Sequence, residues 1–419
     1  MTKRKVLDIY QTGFRKHHST QSALIKLTDD IRLGKEKKLA TLLLQFDFSK
    51  AFDNVSPSKL LQKLQVIGFS RSSLTWFWSY LSGRSMCVAS KVSSSSYRDT
   101  NIGVPQGSVL GPLLFCIYMN DLKDHLDEHN TFRLLYADDL HIYVQTPTHL
   151  IEQGIQQLSK SAKIVVSWAE SNGLSLNIKK TKAIVFGSCK TIKTFKKLDI
   201  PKINTNMNGD CIPFVEQVTC LGVILDNTLS WRSQIQQVTK KVNRVLYGLR
   251  IIRPCTSQSL RKRLVESLVM PQLDYCSVIY SDISKQLGDK LQRLSNSSIR
   301  YIFGLKRQEH ITPYRRRLNW MQITTRTNYF ASLTMYKIIR MKQPPFLLPL
   351  FKPYKRDRPS RGPRKDLDIP SVIHNWGLHS FQVKYAKFWN MIPPCIRDLP
   401  SFTQFKKSIK SYLFSLDNK

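Results

Sequence analysis

The sequence predicts an α+β fold in its first half, followed by a mostly helical C-terminal part. Three observations carry that reading. Short apolar runs of strand length, near 41–48, 132–144, 174–178 and 183–186, are interleaved with helical patterns. From residue 233 to about 341 the apolar residues recur at helical spacing. The 419 residues are 42% hydrophobic, which supplies core for two or three domains and excludes a wholly disordered basic chain.

The elements follow in order. Ser19–Ile31 reads as a helix, with Ala23, Leu24, Leu27 and Ile31 on one face behind a Ser-Thr start. Thr41–Phe48 is a continuous apolar strand of the kind covered on both faces. Pro57 opens a helix that stops at Gly68, with Asn54 and Ser56 as candidate caps, and a second helix runs through Trp76, Trp78 and Leu81. Val88–Thr100, rich in serine, is a hairpin or loop. Gly103–Gly111 is a Gly/Pro-punctuated turn into a helix that ends near Asp121, and Phe132–Val144 is a pair of strands around Asp138 and Asp139. An amphipathic helix over Ile155–Ser171 precedes two more strands, and Val218–Leu225 with a turn at Asp226-Asn227 suggests a hairpin. Ser233–Ile252 buries Ile235, Val238, Val242, Leu246 and Leu249 and turns Lys240, Lys241 and Arg244 the other way. Residues 343–365 carry many prolines and basic residues and read as a linker before a compact aromatic tail.

Charge narrows the function. Lys and Arg number 65 against 29 Asp and Glu, a net charge of +36. Self-repulsion on that scale is relieved by a polyanion, which makes nucleic acid the default partner over a merely solvated basic surface. The excess is uneven: residues 1–190 hold 25 basic and 15 acidic residues, and residues 191–419 hold 40 and 14. The eight scattered cysteines form no C-x2-C pair, so a zinc knuckle or disulfide framework is not expected. The longest apolar run, near Val109–Met119, is too short to span a bilayer.

Against this basic background, Asp47 ends an apolar strand and Asp138-Asp139 sits between two more. Carboxylates so placed are costly unless paired or bound to a cation. A bare Asp-Asp between strands can equally be a hairpin tip. Two strands that each deliver Asp to one sheet edge can instead hold two Mg2+ ions ~4 Å apart, one activating a 3′-hydroxyl and the other neutralising a leaving pyrophosphate.

The ordered strings Q-T-G-F-R-K-H-H-S-T (11–20), F-D-F-S-K-A-F-D-N-V (46–55), G-V-P-Q-G-S-V-L-G-P-L-L-F (103–115), Y-A-D-D (136–139), G-L-S-L-N-I-K-K-T-K (173–182) and C-L-G-V-I-L-D (220–226) resemble the reverse transcriptases of non-LTR, LINE-type retrotransposons of the jockey and CR1-like kind. The resemblance implies a right-hand polymerase: partial fingers and palm with an antiparallel sheet over 1–190, palm end and primer-grip hairpin over 191–232, a helical thumb over 233–290, and a basic, mostly helical accessory domain over 291–419. It implies an RNA-directed DNA polymerase that uses two Mg2+ ions, with Mn2+ possible. Its partners would be an RNA template, a DNA primer or nicked target DNA, and dNTPs, with no membrane and in the nucleus or a cytoplasmic ribonucleoprotein; the oligomeric state stays open. Only ten residues precede Gln11, so part of the fingers and the endonuclease are expected to lie outside this chain. An inactive remnant that only binds nucleic acid, and an RNA-templated RNA polymerase, are the competing readings.

Carried onto this sequence, the resemblance makes Asp47, Asp138 and Asp139 the metal-binding carboxylates, with the Phe48 carbonyl as a further ligand. Phe52 matches a steric gate against a ribose 2′-hydroxyl, or else is core. Gln106 and Gly107 match the loop that holds the incoming nucleotide, and Tyr136 and Ala137 lie beside primer end and sugar. Asp53 matches a position more structural than catalytic. Lys180 matches a lysine that protonates or neutralises pyrophosphate, and Lys182 is not separable from it. Gln11, Gly13 and Arg15 match a fingers motif near the phosphates, Arg15 as a bidentate fork, although His17-His18 departs from the usual Gly-Arg. Leu221 and Gly222 match the primer grip, and Lys240, Lys241 and Arg244 would track a duplex by its phosphates. In the tail, Arg315–Arg317 and 355–365 are candidate phosphate contacts, with Tyr314, Trp320 and Tyr354 available for stacking.

Overall fold

The computed structural model describes residues 6–127, 131–197, 203–204, 211–354 and 366–417. The chain divides into two compact units: Met1–Ala23 with Lys38–Glu216, and Leu24–Lys37 with Gln217–Lys419.

The first unit is built on a four-stranded antiparallel sheet of β1 (Leu39–Phe46), β2 (Phe132–Tyr136), β3 (Asp139–Pro147) and β4 (Lys182–Phe186), in the order β2-β3-β1-β4. Central β1 is the LATLLLQF run, and its residues from Ala40 to Leu44 are all buried. The strand stops at Phe46, one residue short of Asp47, and a separate two-residue ladder joins Phe48–Ser49 to Ser175–Leu176. The apolar run to Phe48 is therefore broken at the carboxylate, whose carbonyl accepts from the Asn177 amide at 2.7 Å. The helix Ile151–Ser171 covers one face of the sheet with Ile155, Leu158, Ala162, Val165 and Trp168. Burying each such side chain stabilises by about 1.5–3 kcal/mol, and truncating Leu158 to Ala would cost about 2–5 kcal/mol through the cavity left behind.

The helix Pro57–Val66 begins as expected, with Pro at its first position and the Ser56 hydroxyl accepting from the Lys59 amide. Asn54 is not a cap: its amide donates to the Ser49 carbonyl at 3.0 Å and ties the turn after Asp47 to itself. The serine-rich stretch is the end of a short hairpin, Arg84–Met86 with Arg98–Thr100. Among the described residues no helix is long and apolar enough to cross a membrane.

The second unit opens with the hairpin β5 (Gln217–Cys220) and β6 (Val223–Asp226). Its turn is Leu221-Gly222, with φ of +47° and +78°, two residues of the kind a tight primed turn requires. The expected turn at Asp226-Asn227 lies beyond the hairpin. Asp226 instead accepts from the amides of Thr228, Ser230 and Trp231, which closes the approach to the helix Arg232–Ile251. That helix buries Ile235, Val238, Val242, Leu246 and Leu249 and leaves Lys240, Lys241 and Arg244 exposed.

Most of the helix Thr20–Glu36 belongs to this unit. Its buried Asp29 accepts from the amides of Phe381 and Gln382 at 2.6 and 2.8 Å, capping the helix Phe381–Met391, and its Arg32 pairs with Asp282 at 2.9 Å. The helices Ile323–Ile339 and Phe402–Asp417 pack against each other, with Tyr336 stacked on Phe405.

Three readings of the tail change. Arg315 is buried and paired with Asp417, and Trp320 is buried with its indole donating to Glu266, so these two are packing groups, whereas Arg317 lies over the Phe303 ring and stays exposed. Tyr314 rests against Phe303, whereas Tyr354 is exposed. Within the stretch read as a linker, Pro345–Leu350 forms a 3-10 helix that buries Phe346 and Leu347. Residues 355–365 lie outside the described residues.

Candidate active site

Strand register places the carboxylates. In the β1/β3 ladder Phe46 faces Leu140, and in the β1/β4 ladder Gln45 faces Lys182. Continuing the β1/β3 ladder past the end of β1 sets Asp47 opposite Asp139. Directly opposed residues of antiparallel strands have Cα atoms about 4.5–5.5 Å apart. On the other side the β1/β4 pairing ends at Gln45 and Lys182, and from the turn closed by the Lys180 amide on the Asn177 carbonyl the Lys180 Nζ reaches to 3.8 Å from an Asp47 carboxylate oxygen. Lys182 sits two positions up β4, facing Gln45. Geometry thus separates the two lysines that the sequence left equivalent.

Asp138 occupies the tip of the β2–β3 hairpin, where Tyr136 faces Asp139. The tip is tight, because Ala137 adopts a left-handed backbone with φ of +58°. Burial raises the Asp138 carboxyl above its ordinary range, and the neighbouring Asp47 raises it further. Burial, then Asp138 and Asp47, push Asp139 up to about 6. Three carboxylates near enough to oppose one another's ionisation are what a bound cation would relieve.

The donor set fits a hard divalent cation in kind, since it is all oxygen. It is not closed on a common point: among the described residues no group of three or more His, Cys, Asp or Glu side chains is arranged to hold a metal ion. The residues fit the group; their side chains are brought to one edge and left open.

Gln11 has a structural role that the sequence did not show. Residues 10–12 add an edge to β2, with the Thr12 amide donating to the Leu135 carbonyl at 2.8 Å and the Leu135 amide to Tyr10 at 3.2 Å. The buried Gln11 side-chain oxygen accepts from the Ala137 amide at 3.1 Å and the Gly13 amide at 2.9 Å. It is a prop behind the YADD tip. Gly13 is required there, because a Cβ at that position would fall 2.4 Å from the Ala137 nitrogen. The fork expected of Arg15 is partly engaged within its own loop: Nη1 donates to the carbonyls of Asp8 and Gln11 at 2.6 and 2.9 Å. A bidentate grip that uses Nη1 is therefore excluded in this arrangement.

Phe48 follows Asp47 directly and lies buried in the ladder with Leu176. The Phe52 ring stacks on Phe115 at 4.4 Å and meets the exposed Phe14 edge-on at 6.4 Å, so it packs against the core on one side and reaches an exposed ring on the other. The loop before the helix Gly111–Tyr118 is seated on the turn after Asp47. The Gly103 amide donates to Val55 at 2.8 Å and the Val104 amide to Phe52 at 3.0 Å. A Cβ at Gly103 would meet the Asp53 backbone at 2.8 Å, so the close approach that glycine permits there is to the chain itself. Gln106 is exposed, and its amide donates to the Asp53 carboxylate at 2.7 Å. Gly107, with φ of +80°, stands in open space. Leu221 and Gly222 form the hairpin turn of the second unit, where the Leu221 carbonyl accepts from the Tyr275 hydroxyl at 2.6 Å.

Comparison with known proteins places this arrangement. The reverse transcriptase (RNA-dependent DNA polymerase) family matches residues 1–225, more than half of the chain, and the chain belongs to that family. Among curated relatives, the probable RNA-directed DNA polymerase from transposon BS of Drosophila melanogaster is 28% identical over 72% of this chain and 33% of its own length. The RNA-directed DNA polymerase from mobile element jockey of the same organism is 26% identical over 72% of this chain and 32% of its own. The chain thus spans about a third of the length of these relatives. Among solved structures, apo telomerase from Candida tropicalis shares 13% identity over 83% of this chain and 58% of that one, with a TM-score of 0.40.

Proposed function

We propose that this chain is the RNA-directed DNA polymerase segment of a jockey-like non-LTR retrotransposon and copies element RNA into DNA. The observation that carries the proposal is the alignment of Asp47 between Asp139 and Lys180 at one sheet edge, with Asp138 beside them.

Asp47, Asp138, Asp139 and the Phe48 carbonyl are the oxygens that would hold two divalent cations, Mg2+ or Mn2+. When bound, the ions supply activation of the primer 3′-hydroxyl and neutralisation of the departing pyrophosphate. The chain's own residues do the rest. Lys180 holds a positive charge beside Asp47 and can offer its proton to the leaving phosphate. Phe52, braced by Phe115, sets a wall where a ribose 2′-hydroxyl would sit, which favours dNTPs. Gln106, oriented by Asp53, and open Gly107 present an edge to the incoming nucleotide, with Tyr136 and Ala137 beside its sugar. Lys240, Lys241 and Arg244, with the Leu221-Gly222 turn, engage the template and primer backbone. The working environment is the nucleus and a cytoplasmic element ribonucleoprotein.

Primer extension on an RNA template tests the proposal. The wild type should incorporate dNTPs, and the Asp138→Ala, Asp139→Ala variant should not; equal extension by both rejects it. The open carboxylates favour one second reading, a protein that binds nucleic acid without synthesis. That reading predicts salt-sensitive binding and no incorporation with either Mg2+ or Mn2+.

A further inference from the structure

The C-terminal part of the second unit holds many cations, and the structure divides them by whether they already have an anion. Arg315 is paired with Asp417, Arg326 with Asp274 at 2.5 Å, Arg340 with Asp398 at 3.4 Å and Arg397 with Asp366 at 3.0 Å. Among the described residues, four lysines with no carboxylate within 4.0 Å lie together on the two packed helices Ile323–Ile339 and Phe402–Asp417, the first of which also carries the paired Arg326. The first has no acidic residue. The second has only Asp417, which is buried against Arg315 and also accepts from the Gln322 amide and the Thr325 hydroxyl. What the pair presents to solvent is Lys406, Lys407 and Lys410, with half-buried Lys337 beside them over the Phe402 ring at 5.4 Å. Lys337 and Lys406 are close enough that Lys406, after burial, lowers the Lys337 pKa. A cluster of like charges with no counter-charge within 4.0 Å among the described residues is held against its own repulsion, which an external polyanion relieves.

We propose that Lys337, Lys406, Lys407 and Lys410 form a second nucleic-acid site that binds the phosphodiester backbone of a double helix without reading bases. The helical rise of ~1.5 Å per residue sets Lys406 and Lys410 ~6 Å apart along one face. A nucleic-acid strand carries one charge per ~3.4 Å of axis, so the two lysines span about two phosphate spacings of one strand. The ligand is a duplex, since single strands are held by stacking platforms and the exposed large apolar residues of these two helices are limited to Leu416. The site goes beyond the polymerase reading, because none of its residues takes part in nucleotide addition.

The test measures binding of the full chain to a labelled RNA hairpin, a DNA duplex and a single-stranded homopolymer of equal length, by fluorescence anisotropy from 50 to 200 mM KCl. The Lys406→Gln, Lys410→Gln variant is compared with Lys163→Gln, Lys193→Gln, which removes the same charge from exposed helical positions of the first unit. Each lost phosphate contact lowers the log–log salt slope by about 0.9 on DNA. The site variant should lower the slope on both duplexes by about 2, and the control by much less. A drop on only one duplex identifies the RNA or the DNA form as the ligand. Slopes that fall equally in both variants, or a loss confined to the homopolymer, overturn the proposal. Binding is read without nucleotide addition, so an inactive palm leaves the outcome unaffected.

Discussion

The paired carboxylates of the second unit and those at the sheet edge of the first are treated in opposite ways, although elsewhere in the first unit Asp8 and Asp121 are paired like those of the second. In the second unit Asp417, Asp274, Asp282 and Asp366 each meet an arginine, and Asp226 is surrounded by donors from residues 228–231 that hold it below the ordinary carboxylate range. In the first unit Asp138 and Asp139 meet other carboxylates, and the cation nearest Asp47 stands 3.8 Å away and largely in solvent. The same side chain closes a structure in one region and is kept unsatisfied in the other. A raised pKa is not enough to mark the second case: burial also lifts Asp29 to about 6, although that residue caps a helix and lies beside Arg32. The distinction is whether the fold itself supplies the carboxylate with donors.

The largest expected effect probes the satisfied side. Asp417→Ala leaves Arg315 buried and unpaired and should cost about 3–5 kcal/mol, read as a lowered denaturant midpoint. The counterpart is Asp138→Asn. It should lower dNTP incorporation by at least about 100-fold while leaving the thermal midpoint unchanged or higher, because it removes repulsion and keeps an oxygen for the side chain's own backbone amide. A stability loss comparable to that of Asp417→Ala would end the contrast. Third, Gln11→Ala strips the acceptor from the buried Gly13 and Ala137 amides and should cost about 2 kcal/mol, with a drop in extension rate that Gln11→Glu, which retains an acceptor, partly restores.

The smallest effect is a pH dependence. The folded state raises Asp139 above its unfolded value, so it binds that proton more tightly than the unfolded chain does. Ionised Asp139 therefore costs stability at neutral pH, and the cost is relieved as pH falls through about 6. In chelator, lowering the pH from 7.5 to 5.5 should favour the wild type over Asp139→Asn by up to about 1 kcal/mol, discounted for solvent screening. A divalent cation should abolish that difference.

Much of this architecture was legible in the residues, and what was not has physical reasons. The LATLLLQF run announced a covered strand, and the ordered strings brought Asp47, Asp138 and Asp139 to one edge. Which lysine faces Asp47 depends on where the turn after Asn177 ends and β4 begins, which no local pattern encodes, so the residues alone leave Lys180 and Lys182 equivalent. The prop role of Gln11 is not legible locally because it is set by a residue 126 positions away. The Arg315–Arg317 run looked like a polyanion contact because the burial of Arg315 depends on Asp417, far along the chain. Local spacing found the elements, and long-range partners assigned the polar side chains their work.

The middle strand acts as a ruler for the chemistry. Because β1 is paired on both edges, the same eight residues fix where Asp47 stands against Asp139 and how the neighbouring strand leads back to the turn that carries Lys180. Deleting or inserting one residue between Leu39 and Phe46 would shift both ladders together and exchange the side chains that meet each covering layer. Such a frame-preserving lesion should silence a copy of the gene as completely as the loss of an aspartate, and leave every motif readable.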